Sequence, residues 1–213
     1  MNYFVETLIG VFTIDKGKIK VLLSKKKEEP YKGYWCLPGS LLKEDNLDDN
    51  IKMVLSNLGI PNLYFKQTKS FSGIELARFN SLAVGYIGLI DSITYVLKKE
   101  EKDDIELEWF DIKSLPKIAF EHHVIIEDLY EYFKKQIVNS NILRILFPSD
   151  FTLPELQKIY EQVLDKDLDR RNFRKKLMNL GYIVDTGDIN EGYTGRPAKL
   201  YRFKDEIEEK NLF

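Results

Sequence analysis

Cysteine is nearly missing: Cys36 is the single one in 213 residues. That excludes a disulfide framework and a cysteine-built zinc site; in its apolar setting beside Trp35, Cys36 is expected to be a small buried hydrophobe. Histidine is scarce as well, with only the neighbours His122 and His123. Adjacent helical positions diverge by 100°, so the pair is badly placed to share a metal, and a capping or core role is expected of His122. No apolar run approaches the roughly 20 residues that cross a bilayer. The start, Met1-Asn2-Tyr3-Phe4-Val5-Glu6, lacks the basic and apolar stretches of a signal peptide. No membrane partner is therefore expected, and the cytoplasm is the expected compartment. Charge of one sign is also lacking: 32 Lys and Arg stand against 34 Asp and Glu. Hydrophobic residues at 44% and charged residues at 31% exclude a disordered chain or a fibrous rod.

What the sequence does have falls into two parts. Up to about residue 117 strand signals dominate. Val5 to Ile14 is apolar and β-branched, the turn Asp15-Lys16-Gly17-Lys18 follows, and Ile19 to Ser24 is its hairpin partner. Leu47, Ile51, Val54, Leu55 and Leu58 recur at helical spacing, and Gly59 ends that helix. Strands return near Leu63–Ser72, Phe79–Ile90 and Ile105–Phe110. This order reads as an α+β domain on a mixed sheet. From Phe120 to Asn139 the period is helical, with Ile125, Ile126, Leu129, Phe133 and Ile137 as the stripe. We place the domain boundary at 140/141, giving domains 1–140 and 141–213.

The second part is more compact. Thr152-Leu153-Pro154-Glu155 is a capping box that opens a helix to about Leu164. A second helix runs from near Asp169 to Gly181. Tyr182–Val184 and Leu200–Phe203 are strand-like, with a polar, glycine-rich stretch between them. Helix-turn-helix followed by a β-hairpin is a winged helix. Residues 169 to 204 carry nine Lys or Arg against four acids. On the second helix Phe173, Leu177 and Leu180 share one side, while Arg171, Arg174, Lys175 and Met178 point the opposite way. Cations on an outward helix face suit a DNA major groove. The expected DNA-binding residues are Arg170, Arg171, Asn172, Arg174 and Lys175 on the helix, with Thr194, Gly195, Arg196 and Lys199 in the wing.

Trp35-Cys36-Leu37-Pro38-Gly39-Ser40, followed by Leu47 to Gly59-Ile60, resembles the Nudix box, in which a glycine-rich loop leads into a catalytic helix. The family pattern is G-x5-E-x7-R-E-U-x-E-E-x-G-U, with U apolar. Here Ser40 stands for a glycine and Asp45 for the first glutamate. Met53 and Val54 replace the Arg-Glu pair, and Asn57 and Leu58 replace the Glu-Glu pair. Nudix chemistry needs carboxylates at i, i+3 and i+4 to hold divalent metal on a pyrophosphate; this helix has none there. Asp48 and Asp49 lie at the helix start, where the macrodipole accounts for them. The scaffold resembles Nudix without its metal site, so no enzyme activity and no cofactor are expected. The alternative is an atypical Nudix hydrolase acting on a nucleoside diphosphate-linked substrate.

A Nudix-like α/β/α sandwich joined to a winged helix resembles the Nudix-related, NrtR-like transcriptional regulators. Matching stretches include Phe151–Gln157, Leu168–Leu177, Gly195–Phe203, Ile118–His122 and Glu29–Trp35. The resemblance implies a homodimer through the Nudix-like domains, a pseudo-palindromic duplex operator, repression of a metabolic operon, and a small-molecule effector in the old substrate cleft. Members answer to different effectors, among them ADP-ribose and arabinose. A phosphorylated sugar or nucleotide sugar is expected first, a free sugar second. Arg78 matches a basic family position, which implies that it faces the cleft; as a residue it reads equally as a solvent-exposed arginine.

Overall fold

The computed structural model describes residues 4–60, 63–77, 80–91, 105–147, 149–190, 197–204 and 206–210. The chain divides into two units, Met1–Thr13 with Ile19–Tyr132, and Ile14–Lys18 with Phe133–Phe213. Among the described residues no helix is long and apolar enough to cross a membrane.

The apolar run after Phe4 makes β1 (Phe4–Asp15), which turns through Lys16 and Gly17 into β2 (Lys18–Lys25). Both turn residues have positive φ, 50° and 73°, as a two-residue hairpin that follows the strand twist requires. Around this pair lie β3 (Trp35–Cys36), β4 (Gly39–Leu41), β5 (Tyr64–Phe71), β6 (Ser81–Leu89) and β7 (Leu107–Asp111). The sheet order is β3-β2-β1-β6-β5, with β4 on β1 and β7 on β2. β1 and β6 run parallel, whereas β3, β4, β5 and β7 join antiparallel, so the sheet is mixed.

Side chains that alternate along β1 serve opposite faces. Ile9 and Val11 meet α1 (Leu47–Asn57) through Ile51, Val54, Leu55 and Leu58, together with Leu22, Val84 and Tyr86. Gly10 faces the other way, where a Cβ would lie 3.1 Å from Leu129 on α2 (His122–Asn139). The result is the expected helix–sheet–helix sandwich. α1 starts at Asn46, whose side chain accepts from the Asp49 N–H, and is followed by Gly59 at φ 75°. α2 begins two residues later than the helical stripe predicts. Phe120 takes a left-handed φ of 54°, so it turns the chain into the helix rather than joining it.

In the second unit a 3₁₀ turn (Ile142–Ile145) precedes β8 (Phe151–Thr152), α3 (Leu153–Leu164), α4 (Arg170–Leu180), β9 (Ile183–Asn190) and β10 (Ala198–Phe203). The capping box is present: Thr152 Oγ1 accepts from the Glu155 N–H, and the Glu155 carboxylate accepts from the Thr152 N–H. The turn between α3 and α4 opens on Asp165 in the left-handed region. Asp169 then caps α4, accepting from the Asn172 N–H at 2.9 Å, and Gly181 closes it at φ 69°. Phe151, Leu156, Tyr160, Phe173, Leu177 and Phe203 are buried, with Tyr160 and Phe173 rings 5.3 Å apart. The wing sheet has the order β8-β10-β9. Its third strand, β8, is absent from the sequence expectation because two residues carry no periodicity.

Candidate nucleic-acid interface and ligand cleft

α4 is built from both of its faces. Phe173 and Leu177 are 2% and 0% exposed and anchor the helix in the second unit. Arg170, Arg171, Asn172, Arg174 and Lys175 all stand exposed, and Met178 is exposed on the same outward row. Two sides of a single helix thus separate the apolar anchor from the cations, as the spacing predicts. Lys199 is exposed on β10 and pairs with Asp185 of β9 at 2.7 Å. That hydrogen bond holds the Asp185 carboxyl below its ordinary range, assisted by the Gly187 N–H and by Arg174. Arg170, Arg174 and Lys199 line one depression of about 320 Å³ together with Phe173, Gln157 and Pro197. The structure therefore brings helix and wing cations together. Thr194, Gly195 and Arg196, also expected at this interface, lie outside the described residues.

The first unit carries a cleft of about 610 Å³. One wall is α1, which turns Val54, Asn57 and Leu58 toward it. In the Nudix-like pattern read from the sequence, these three fall at i, i+3 and i+4 in the places of carboxylates. The opposite wall is the end of β2 and its continuation, Ser24 to Glu28, with Lys25, Lys26 and Lys27 in sequence; Gly39 and Ser40 also line the cleft. Asn50, fully buried on α1, donates to Thr7 Oγ1 at 2.8 Å and Ser40 Oγ at 3.1 Å, and accepts from the Lys43 N–H at 3.0 Å. It thereby fixes the loop between β4 and α1. Asp48 accepts the Tyr86 hydroxyl at 2.9 Å, and Asp49 pairs with Lys52 at 2.7 Å; both acids sit away from the lysine wall. Arg78 lies outside the described residues.

A divalent metal asks for several oxygen donors, usually including carboxylates. From α1 the cleft offers two hydrocarbon side chains and one neutral amide. Among the described residues no group of three His, Cys, Asp or Glu is placed to hold a metal ion. The described lining does not fit the metal that the fold family uses.

Cys36 departs from expectation. It is half-buried and lines the cleft, because β3 is two residues long and leaves the thiol at the sheet's edge. Burial pushes that thiol up, against a weak contact from Ser24 Oγ at 3.4 Å. His122 behaves as expected of a core residue. It is 3% exposed and its Nδ1 accepts from the Leu37 N–H at 3.2 Å. Burial, assisted by the Lys26 ammonium, lowers its pKa to about 4. A histidine held neutral contributes stability above its unfolded value near 6.5, and loses it as the pH falls toward 4. Between pH 7 and pH 5 the stability of the protein is thus expected to fall about 2 kcal/mol further than that of His122→Asn, whose amide oxygen can accept the same bond. Urea denaturation of both proteins at the two pH values measures this, and parallel losses would refute the role.

The cleft lysines were not singled out by sequence reading. Their signal is a run of three cations directly after an apolar strand, easily taken for a solvated edge.

Comparison with known proteins bears on both sites. The family described as the NrtR DNA-binding winged helix domain matches residues 143–203. The chain is 29% identical over 203 residues to the ADPR responsive transcriptional repressor NtrR of Acinetobacter baylyi, covering 92% of this chain and 80% of that protein. It is 31% identical over 133 residues to an ADP-ribose pyrophosphatase of Methanocaldococcus jannaschii, covering 59% and 74%. Shewanella oneidensis NrtR, crystallised with a 27mer DNA, superposes with a TM-score of 0.77 at 25% identity, over 94% of this chain and 93% of that one. Residues 143–203 thus belong to the NrtR DNA-binding winged helix family, and with the Nudix-like sandwich before them the chain is an NrtR-like, ligand-responsive DNA-binding regulator.

Proposed function

We propose that this regulator is a repressor that grips a pseudo-palindromic duplex as a homodimer and lets go when ADP-ribose, or a closely related nucleotide sugar, enters the cleft of the first unit. The observation that carries the DNA half is the exposed row Arg171, Arg174, Lys175 on a helix whose other side is buried. Arg170, Asn172 and Lys199, with Thr194, Gly195 and Arg196 of the wing, complete the DNA-contacting set, and Arg78 assists the ligand. Residues 1–140 sense and dimerise; residues 141–213 read DNA. Two relatives whose names carry ADP-ribose, one a repressor and one a pyrophosphatase, support the choice of effector. Hydrolysis is not part of the function, since Val54, Asn57 and Leu58 occupy the metal-holding positions.

The test selects a duplex from a random pool with the purified protein, then titrates ADP-ribose into the complex in a gel shift. Two protomers per duplex and an affinity about tenfold weaker with ADP-ribose are expected, a coupling of about 1.4 kcal/mol. The nucleotide should be recovered intact after incubation with Mg²⁺. DNA affinity indifferent to ADP-ribose would overturn the effector, and release of AMP at enzyme-like rates would overturn the regulator-only reading.

A further inference from the structure

We propose that the cleft holds a diphosphate through lysine ammonium groups in place of divalent metal, with Lys26 as the principal phosphate ligand and Lys27 beside it. The idea deepens the effector reading above and rests on it for the identity of the whole ligand. A Nudix helix brings carboxylates, which need metal before a pyrophosphate can approach them. Here the helix wall is Val54, Asn57 and Leu58, which neither hold metal nor repel an anion. Among the described residues the facing wall supplies three consecutive lysines against a single acid in the lining, Glu28. What metal does for the hydrolases, neutralising two phosphates, falls to side chains already in place.

The three lysines are not equivalent. Lys25 is engaged with Glu106 at 2.9 Å and stacks on Trp35 at 5.4 Å from the ring centroid, so it is held along the sheet edge. Lys26 has its Nζ 5.2 Å from the Phe120 ring centroid, a cation–π contact with a neutral ring. Its charge is felt at Cys36, which lines the cleft, and at His122 behind it. Lys27 is exposed and follows directly. Ammonium groups on flexible stems follow a phosphate as point charges, without the fixed geometry that a metal imposes. Lysines neutralise the diphosphate but generate no hydroxide, so the ligand is bound and kept.

Isothermal titration of the full chain tests this with two probes, ADP-ribose and inorganic pyrophosphate. ADP-ribose is run in EDTA and again in Mg²⁺; pyrophosphate is run in EDTA. ADP-ribose affinity within about twofold between the two buffers is expected, as is binding of pyrophosphate without metal. Both probes should weaken tenfold or more in Lys26→Gln/Lys27→Gln and recover much of the loss in Lys26→Arg/Lys27→Arg, with far-UV circular dichroism and melting confirming that the variants fold. An ADP-ribose affinity that collapses in EDTA, or a double glutamine variant that binds both probes like the parent, overturns the inference. Should ADP-ribose fail in both buffers while pyrophosphate binds in a lysine-dependent way, the effector identity falls and the metal-free site stands. Failure of both probes overturns the site itself.

Discussion

Replacing Arg171 and Arg174 together with alanine is expected to weaken DNA binding at least thirtyfold while leaving the fold unchanged. Each arginine that meets a base edge contributes about 1–3 kcal/mol, and two of them give roughly 2 kcal/mol or more. Both side chains are exposed on α4, and neither supports Phe173 or Leu177 beneath. Melting temperature should therefore stay within a degree or so of the parent, which separates this variant from a core lesion. Base readout and phosphate contact differ in their signature: the first relaxes sequence preference at one position, whereas the second weakens all duplexes alike. Gel shifts on a selected duplex and on a scrambled one distinguish them. Parent-like affinity for the selected duplex would remove α4 from the interface.

Gly39→Ala should damage the first unit severely. A Cβ at this position would lie 2.3 Å from the Thr7 carbonyl oxygen and 2.5 Å from Leu8 Cδ2. Gly39 pairs with Leu8 across the β4–β1 ladder, and the Ile9 N–H bonds to the Pro38 carbonyl at 2.9 Å. β1 runs through the middle of the sheet and cannot retreat. Overpacking of this kind costs about 1–3 kcal/mol, more where backbone rather than side chain must move. Thermal unfolding should drop by several degrees, and ligand binding should suffer with it because Gly39 also lines the cleft. An unchanged melt would show that β4 can lift off β1 at no cost. The glycine of the Nudix-like loop thus allows the close approach of two strands, a steric need independent of any chemistry on the helix.

Some of this architecture was legible before any coordinates. The Thr152–Glu155 box and Gly181 mark helix ends by short-range hydrogen bonding and backbone sterics, which act over three or four residues and leave a local record. The two-sidedness of α4 was readable for the same reason. The turn at Phe120 was not: a bulky residue in the left-handed region is held there by the packing of Tyr31 and Lys26 on its ring, and those partners lie some ninety residues away in the chain. β8 and the edge position of Cys36 escaped because two-residue strands have no period to detect. In the cleft, the missing carboxylates were plain on the helix, yet the lysines that face them come from another strand, and only the fold sets the two walls opposite each other.

The pairing of Lys199 with Asp185 has a consequence for how DNA affinity responds to salt. A lysine bathed in solvent keeps loosely associated anions, and phosphate contacts displace ions from the duplex whose dilution into bulk drives binding at low ionic strength. Lys199 carries its counter-ion covalently fixed to the same wing, 2.7 Å away. Were it to turn to a phosphate it would exchange one anion for another, and the Asp185 left behind would sit near the polyanion and recruit a cation of its own. A wing lysine used in this way would strengthen attachment less than its charge implies, and the logarithmic salt slope is expected to count fewer phosphates than the footprint touches.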